Sequence, residues 1–354
     1  MERRASSRVV FLLFLAGCTS TAQPARDPIV DVMTRVAGWQ LAHPSQHPRW
    51  DWTQAPFWIG LTAFAPLSSD PQRYLAEVRR NGEENRWRPG PRPLCADDHA
   101  VTQSYFALGD PKVIEPSLQT FDALVRYPFD GSLEFTDWTK TSYDWIWCDA
   151  LFMSPPALAM ASRATGDRRY IDFMNRMWWR TTGYLYDRDE HLYYRDSRFF
   201  GQKVFWSRGN GWVLAGLARV LQNMPADYRD RPRYVALFKD MAARIASLQQ
   251  PDGYWRTSLL DANAYPSPET SGTAFYVYAL AWGVNEGLLD RAAYEPVVRK
   301  AWDALVSAVH PDGMLGYVQR IGDQPGSTSP ETTEIYGAGA FLLAGSEVHR
   351  LVSR

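Results

Sequence analysis

Residues Trp147–Ala161 read WCDALFMSPPALAMA. One carboxylate, Asp149, heads an apolar run whose charge is gone after the first turn. Five other stretches have the same character: WTQAPFWIGLTAFA from Trp52, DDHAVTQSYFAL from Asp97, RGNGWVLAGLARVL from Arg208, SGTAFYVYALAW from Ser271 and TTEIYGAGAFLLAG from Thr332. With the third counted from Cys148, their starts lie 45, 51, 60, 63 and 61 residues apart. They are rich in Gly and Ala and poor in charge, as buried helices are. Between them run amphipathic segments such as YIDFMNRMWWRTT and YVALFKDMAARIASLQ, apolar at three-and-four spacing. Asp70, Asp110, Asp167, Asp230 and Asp290 precede the amphipathic segments and read as N-caps. Pro-Asp-Gly recurs at 251–253 and 311–313. Strand signals are sparse, LYYRD at 192–196 being one.

A buried helix, a loop and an amphipathic helix, six times over, predict an all-α (α/α)6 barrel with six inner and six outer helices. All inner helices then run the same way, and their N-termini meet at one end. Long loops at 76–97, 130–147, 186–207, 256–271 and 318–332 precede them and would wall a pocket there.

The first 18 residues stand outside this pattern. Arg3, Arg4 and Arg8 precede VVFLLFLA, and Leu15–Cys18 reads LAGC. Positive charge, a short apolar core and small residues mark a secretory segment. LAGC resembles a bacterial lipobox, which implies lipidation of Cys18 and a tether over 19–28, with the barrel domain over 29–354. Thr19 after the lipidated cysteine points to the outer membrane, with the protein in the periplasm. Eight apolar residues are too few to span a bilayer as a helix.

Composition excludes several functions. Lys and Arg total 38 against 39 Asp and Glu, a net charge of −1 with no basic block, so nucleic acid is not an expected partner. Apart from Cys18, only Cys95 and Cys148 remain, too few for a disulfide framework or a zinc set. They read as small buried residues, and no metal or cofactor is expected. No phosphate loop, nucleotide fingerprint or nucleophile elbow occurs. The 15 Trp and 18 Tyr fit either an aromatic core or rings that stack on sugars.

Polar residues gather at the inner-helix starts: Asp97, Asp98 and His99; Trp147 and Asp149; Trp206, Arg208, Asn210 and Trp212; Glu269, Thr270 and Ser271; Glu331, Thr332, Thr333, Glu334 and Tyr336. Glu269, Thr270, Glu331 and Thr332 read as caps or rim groups. Of Asp97 and Asp98, one caps and the other points inward. Arg208 opposes the helix dipole, so capping does not explain it. Either it grips a carboxylate ligand with two hydrogen bonds, or it pairs with Asp98 or Asp149 for structure. Asp149 is either a cap or a general acid whose proton affinity is raised by its apolar flanks. The residues alone leave the two even.

WCDALFM, WSRGNGW and TSG ahead of an apolar helix resemble glycoside hydrolase family 105, the unsaturated rhamnogalacturonyl hydrolases, relatives of the unsaturated glucuronyl hydrolases. The likeness spans roughly residues 30–350. It implies an (α/α)6 barrel acting on acidic oligosaccharides left by polysaccharide lyases, whose terminal uronate carries a C4–C5 double bond. It implies that Asp149 protonates C4 and activates water for C5. It makes Asp98 the second pocket carboxylate and Trp147, Trp206, Arg208 and Trp212 substrate contacts. Lys140 falls near a basic position of the family, and His99 lies beside the carboxylates. Where many members carry a His in the third loop, Tyr194 or Arg195 stands here, with His191 out of register. Alternatives are another (α/α)6 lyase or epimerase, or a lipoprotein that binds oligosaccharides without chemistry.

Overall fold

The computed structural model describes residues 27–137 and 144–353. The expected roles of Cys18 and Lys140 therefore lie outside the described residues. The described residues are mostly helical: α1 (Pro28–Ala42), α2 (Ala55–Phe64), α3 (Pro71–Glu84), α4 (Ala96–His99), α5 (Thr102–Ala107), α6 (Pro111–Leu124), α7 (Ala150–Met153), α8 (Pro155–Thr165), α9 (Arg168–Leu185), α10 (Ser207–Asn223), α11 (Arg231–Ser247), α12 (Thr270–Asn285), α13 (Arg291–Ser307) and α14 (Ile335–Val352). One two-stranded ribbon, β1 (Tyr186–Asp187) against β2 (Leu192–Tyr193), interrupts them.

The inner ring closes. Helix α2 packs on α5, α5 on α8, α8 on α10, α10 on α12, α12 on α14, and α14 returns to α2. Helices α1, α3, α6, α9, α11 and α13 cover α14, α2, α5, α8, α10 and α12 from outside. This is the expected (α/α)6 barrel. The Gly and Ala content of the inner helices has a steric cause. A Cβ on Gly339 would fall inside 3 Å of the Pro56 backbone, and one on Gly216 would do the same at Leu151. The α14–α2 and α10–α7 contacts are backbone-to-backbone.

Four of the five expected outer caps are made: Asp70, Asp110, Asp167 and Asp290 accept from a free backbone N–H one turn on. Asp230 does not cap; its carboxylate takes the Asn175 amide at 2.6 Å instead. The sixth outer helix, α1, is capped by Asp27, and Pro28, placed above at the end of the tether, is its first residue. His349 reaches Asp27 at 3.1 Å and ties the last helix to the first. The first long loop is shorter than expected, because α3 continues to Glu84. Cys95 and Cys148 are buried, as expected.

Two inner positions are broken helices. α4 and α5 are separated at Ala100–Val101, and α7 and α8 at Ser154, ahead of Pro155 and Pro156. Proline lacks an N–H and cannot continue the preceding turn. His99 bolts the breaks together. Its Nε2–H donates to the Pro93 carbonyl at 2.9 Å, leaving Nδ1 to accept from the Ser154 hydroxyl at 2.8 Å. Burial lowers the His99 pKa to about 4, so the ring stays neutral at pH 7.

Candidate active site

A cavity of about 300 Å³ opens at the end of the barrel where the inner helices begin. Trp52, Trp147, Trp206 and Trp212 wall it, Asp97, Asp149 and Arg195 reach into it, and Ile321, Gly322 and Asp323 stand at its mouth. The volume is at the lower end of the range for small-ligand sites.

Asp149 precedes α7 yet makes no cap hydrogen bond. The residue is 6% exposed. Oδ2 accepts from Arg195 Nε at 3.3 Å, and Oδ1 lies 3.6 Å from the Cys148 thiol. The first turn of α10 comes so close that a Cβ on Gly209 would stand 3.5 Å from Oδ1 and 3.1 Å from the Cys148 sulfur. Burial raises the Asp149 pKa, against the pull of Arg195 and Arg208. Asp97 is pushed up to about 7, chiefly by burial and further by the Asp149 charge, with Arg92 and Arg195 opposing.

The structure corrects several expected placements. Of the aspartate pair, Asp97 points inward. Asp98 lies outside the cavity, taking the Arg92 backbone N–H at 2.6 Å and its guanidinium at 2.5 and 3.1 Å. It fixes the loop ahead of α4 rather than facing a ligand. His99 is the bolt between the helix breaks and does not line the cavity. Arg208 pairs with neither Asp98 nor Asp149 and does not line the cavity. It is fully buried, lies between the Trp206 and Tyr336 rings at 4.4 and 4.8 Å, and donates to the backbone carbonyls of Gln319 and Arg320 at 2.6 and 3.0 Å. Arg208 thus anchors the strand of chain that carries Ile321–Asp323 to the cavity mouth. Tyr336 donates to the same Gln319 carbonyl, and Trp206 Nε1 to the Gln319 side chain at 2.8 Å. Glu269 caps α12 through Ser271 N and Gly272 N, as expected.

Trp147, Trp206 and Trp212 line the cavity where the sequence put them. Of Tyr194 and Arg195, only Arg195 does; the Tyr194 hydroxyl turns away to Asp187 at 2.9 Å. Arg195 is held from behind by Asp196, which is fully buried and also takes Arg198 at 2.7 and 2.8 Å. Arg198 in turn reaches Asp323 at the mouth, 2.8 Å away. A row of alternating charge therefore runs from Asp149 through Arg195, Asp196 and Arg198 to Asp323. Trp52 was not singled out from the sequence, although it opens the first inner segment as the other site residues open theirs. Asp323 had no signal beyond lying in a long loop.

An all-helical six-hairpin barrel with a cavity of four indoles, two carboxylates of raised proton affinity and one guanidinium is the arrangement of a carbohydrate-active enzyme. The chain belongs to Glycosyl Hydrolase Family 88, whose model matches residues 30–352, and it is a glycoside hydrolase. The expected kinship with the unsaturated uronyl hydrolases holds. It is 42% identical over 344 residues to an unsaturated 3S-rhamnoglycuronyl hydrolase of Formosa agariphila, covering 90% of each chain. A solved structure of a family 88 glycosyl hydrolase from Bacteroides vulgatus superposes with a TM-score of 0.81 at 30% identity, covering 91% of this chain and 98% of the other. Another, described as a polysaccharide lyase, superposes at 0.83 with 34% identity, covering 92% and 97%.

Proposed function

We propose that this hydrolase removes a terminal 4,5-unsaturated uronate from lyase-generated oligosaccharides by hydrating the C4–C5 double bond. The observation that carries the reading is Asp149, a buried carboxylate at a helix start that caps nothing and faces an aromatic cavity beside Asp97 and Arg195. Protonated, it delivers a proton to C4, and the cation left at C5 is shared with the ring oxygen. Water adds to C5 and returns a proton to the Asp149 carboxylate. The hemiketal opens to a ketone at C5, and the hemiacetal then exposed at C1 breaks down to release the neighbouring sugar. One water is consumed and Asp149 is regenerated. Asp97 shares the cavity, and once it ionises, above about pH 7, its charge favours the protonated form of Asp149. Arg195 faces the uronate carboxylate, and the indoles stack on the sugar ring. The name of the Formosa relative supports rhamnose as the sugar released, in place of a broader pectin-type substrate. We further propose that Cys18 anchors the protein by lipid at the periplasmic face of a membrane, tested by detergent-phase partitioning of wild type and Cys18→Ala.

A second reading, a lyase, is favoured by the solved structure described as one. A single assay separates them. The conjugated double bond absorbs in the ultraviolet. Hydration removes that absorbance, whereas elimination creates it. Absorbance of unsaturated glycuronyl-rhamnose oligosaccharides that falls with wild type and holds with Asp149→Asn supports the proposal. A fall with both proteins removes Asp149 from its role. A rise on the intact polysaccharide, with no fall on the unsaturated fragments, replaces hydration with elimination.

A further inference from the structure

On the flank of the barrel, between α9 and α11 and under the tip of the β1–β2 hairpin, lies a second cavity of about 320 Å³. Its chemistry resembles the catalytic one in part: two aromatic rings, Trp179 and Tyr186, and three basic side chains, Arg188, His191 and Arg233, against one carboxylate, Asp240. Neither Arg188 nor Arg233 makes an ion pair with a described carboxylate.

Arg233 is held in an unusual way. Its guanidinium lies 3.5 Å from the Trp179 ring centroid. The cation is held over the negative face of the indole, and its planar guanidinium carries a fork of N–H donors that fits a carboxylate. The platform is itself fixed: Trp179 Nε1 donates to Asn175 at 2.9 Å, and Asn175 is locked by Asp230 at 2.6 Å. This accounts for Asp230 forgoing its cap. Opposite, Asp240 takes the Tyr186 hydroxyl and the His191 ring, the latter at 2.8 Å. Both of these Asp240 contacts are with side chains of the cavity wall. His191 keeps φ at 54°, in the left-handed region, at a turn position where glycine would be unstrained.

We propose that this flank cavity is a second, non-catalytic binding site for the carboxylate of a uronate unit within an oligosaccharide, gripped by the stacked Arg233 fork and Arg188. The choice of a sugar as the carrier of that carboxylate rests on the proposed reading of the catalytic cavity; the carboxylate fork does not. The site would retain long fragments of an acidic polysaccharide at the enzyme while their ends are processed.

The probe is a saturated tetrasaccharide of alternating glucuronate and rhamnose, which has no double bond and cannot turn over. Titrated calorimetrically into the full chain, it binds wild type and Asp149→Asn alike. Arg233→Ala weakens binding at least tenfold, Arg188→Ala weakens it in the same direction, and both leave turnover of an unsaturated disaccharide unchanged. Arg233→Lys does not restore affinity, because an ammonium group gives no planar fork. A carboxyl-reduced tetrasaccharide, neutral but of equal length, does not bind. Equal affinity in wild type and Arg233→Ala, no binding to wild type, or equal binding of the reduced sugar would each overturn the proposal. Since the probe never meets the hydration chemistry, absence of turnover on unsaturated substrates would sink the catalytic reading without touching this result.

Discussion

Asp97 makes the structure testable through stability as well as rate. Its carboxyl, pushed from 3.8 to about 7, is neutral in the folded chain at pH 5 and ionised in the unfolded one. The group's stabilising contribution is complete below pH 3.8 and is lost as pH rises through about 7. Above that pH the folded state must hold the charge, at a cost of up to about 4 kcal/mol relative to the unfolded chain. Water in the cavity trims this ceiling, since Asp97 keeps part of its surface there. Asparagine at 97 never ionises and never meets that cost. Asp97→Asn is therefore expected to be more stable than wild type at pH 8, and its advantage should widen by about 2 kcal/mol between pH 5 and pH 8. Most of the widening falls between pH 5 and 7. The Asp149 carboxylate titrates with its neighbour, so the midpoint belongs to the pair.

Urea unfolding of both proteins at half-unit intervals from pH 5 to 8.5 measures the gap directly. At pH 8, where Asp97 is ionised in wild type, the same variant should hydrate unsaturated oligosaccharides more slowly, because Asp149 loses a neighbouring charge that favours its protonated form. Gain of stability with loss of rate is the signature of a group held in a costly state for function. A gap that stays constant with pH, or narrows toward pH 8, would refute the reasoning, for it would mean that Asp97 is ionised at its ordinary pKa and is not sharing the cavity with Asp149.

Three other expectations follow from local geometry. Gly339→Ala should destabilise the barrel by about 2–3 kcal/mol, as its Cβ meets the Pro56 backbone; Gly183→Ala, in open space on α9, should be neutral or stabilising by up to about 1 kcal/mol. Parallel urea melts compare the two. Ser154→Ala leaves the buried His99 Nδ1 without its hydroxyl partner, at a cost of about 1–2 kcal/mol in a thermal melt. Asp323→Ala releases the cavity mouth from Arg198 and should raise KM roughly fivefold, with kcat little changed, from the loss of about 1 kcal/mol of loop ordering.

The fold was legible because the barrel repeats one physical instruction six times: a charge-poor Gly/Ala helix, then an amphipathic one behind an aspartate. Periodicity and capping are local signals, and a ring of parallel inner helices gathers the helix starts without further information. Trp147, Asp149, Trp206 and Trp212 reached the cavity for that reason, and Arg195 reached it from the long loop between β2 and α10. What failed was whatever depended on a distant partner. For Arg208 the sequence offers carboxylate partners, but its partners are the backbone carbonyls of Gln319 and Arg320, more than a hundred residues away. Asp230 looks like a cap in its own segment and is claimed by Asn175 from the neighbouring outer helix. Asp97 and Asp98 are adjacent on a four-residue helix, about 100° apart around its axis. Which one faces inward is set by Arg92 and by the break at Ala100, neither of which has a sequence signature.

One feature of the cavity looks wrong for an acidic substrate until its protons are placed. Asp97, Asp149 and Asp323 line it with a single guanidinium, Arg195, so with every group ionised a uronate would be repelled. Two devices remove the surplus. Arg198 covers Asp323 at the mouth, and burial pushes Asp97 up to about 7, so that below that pH a proton, in place of a cation, neutralises it; burial raises the Asp149 pKa in the same direction. The choice matters for the proposed chemistry. A second arginine against Asp149 would neutralise the charge equally well but would hold the carboxyl ionised and leave C4 without a proton donor. Asp196 bears on the same balance. By taking Arg195 at 2.9 Å while Asp149 has it at 3.3 Å, it draws the guanidinium toward the rear wall. The cation is then near enough to meet a substrate carboxylate, yet its hold on the acid stays weak enough for burial to win. The cavity can thus accept an anion and still carry a proton, and that combination is what hydration of an unsaturated uronate requires.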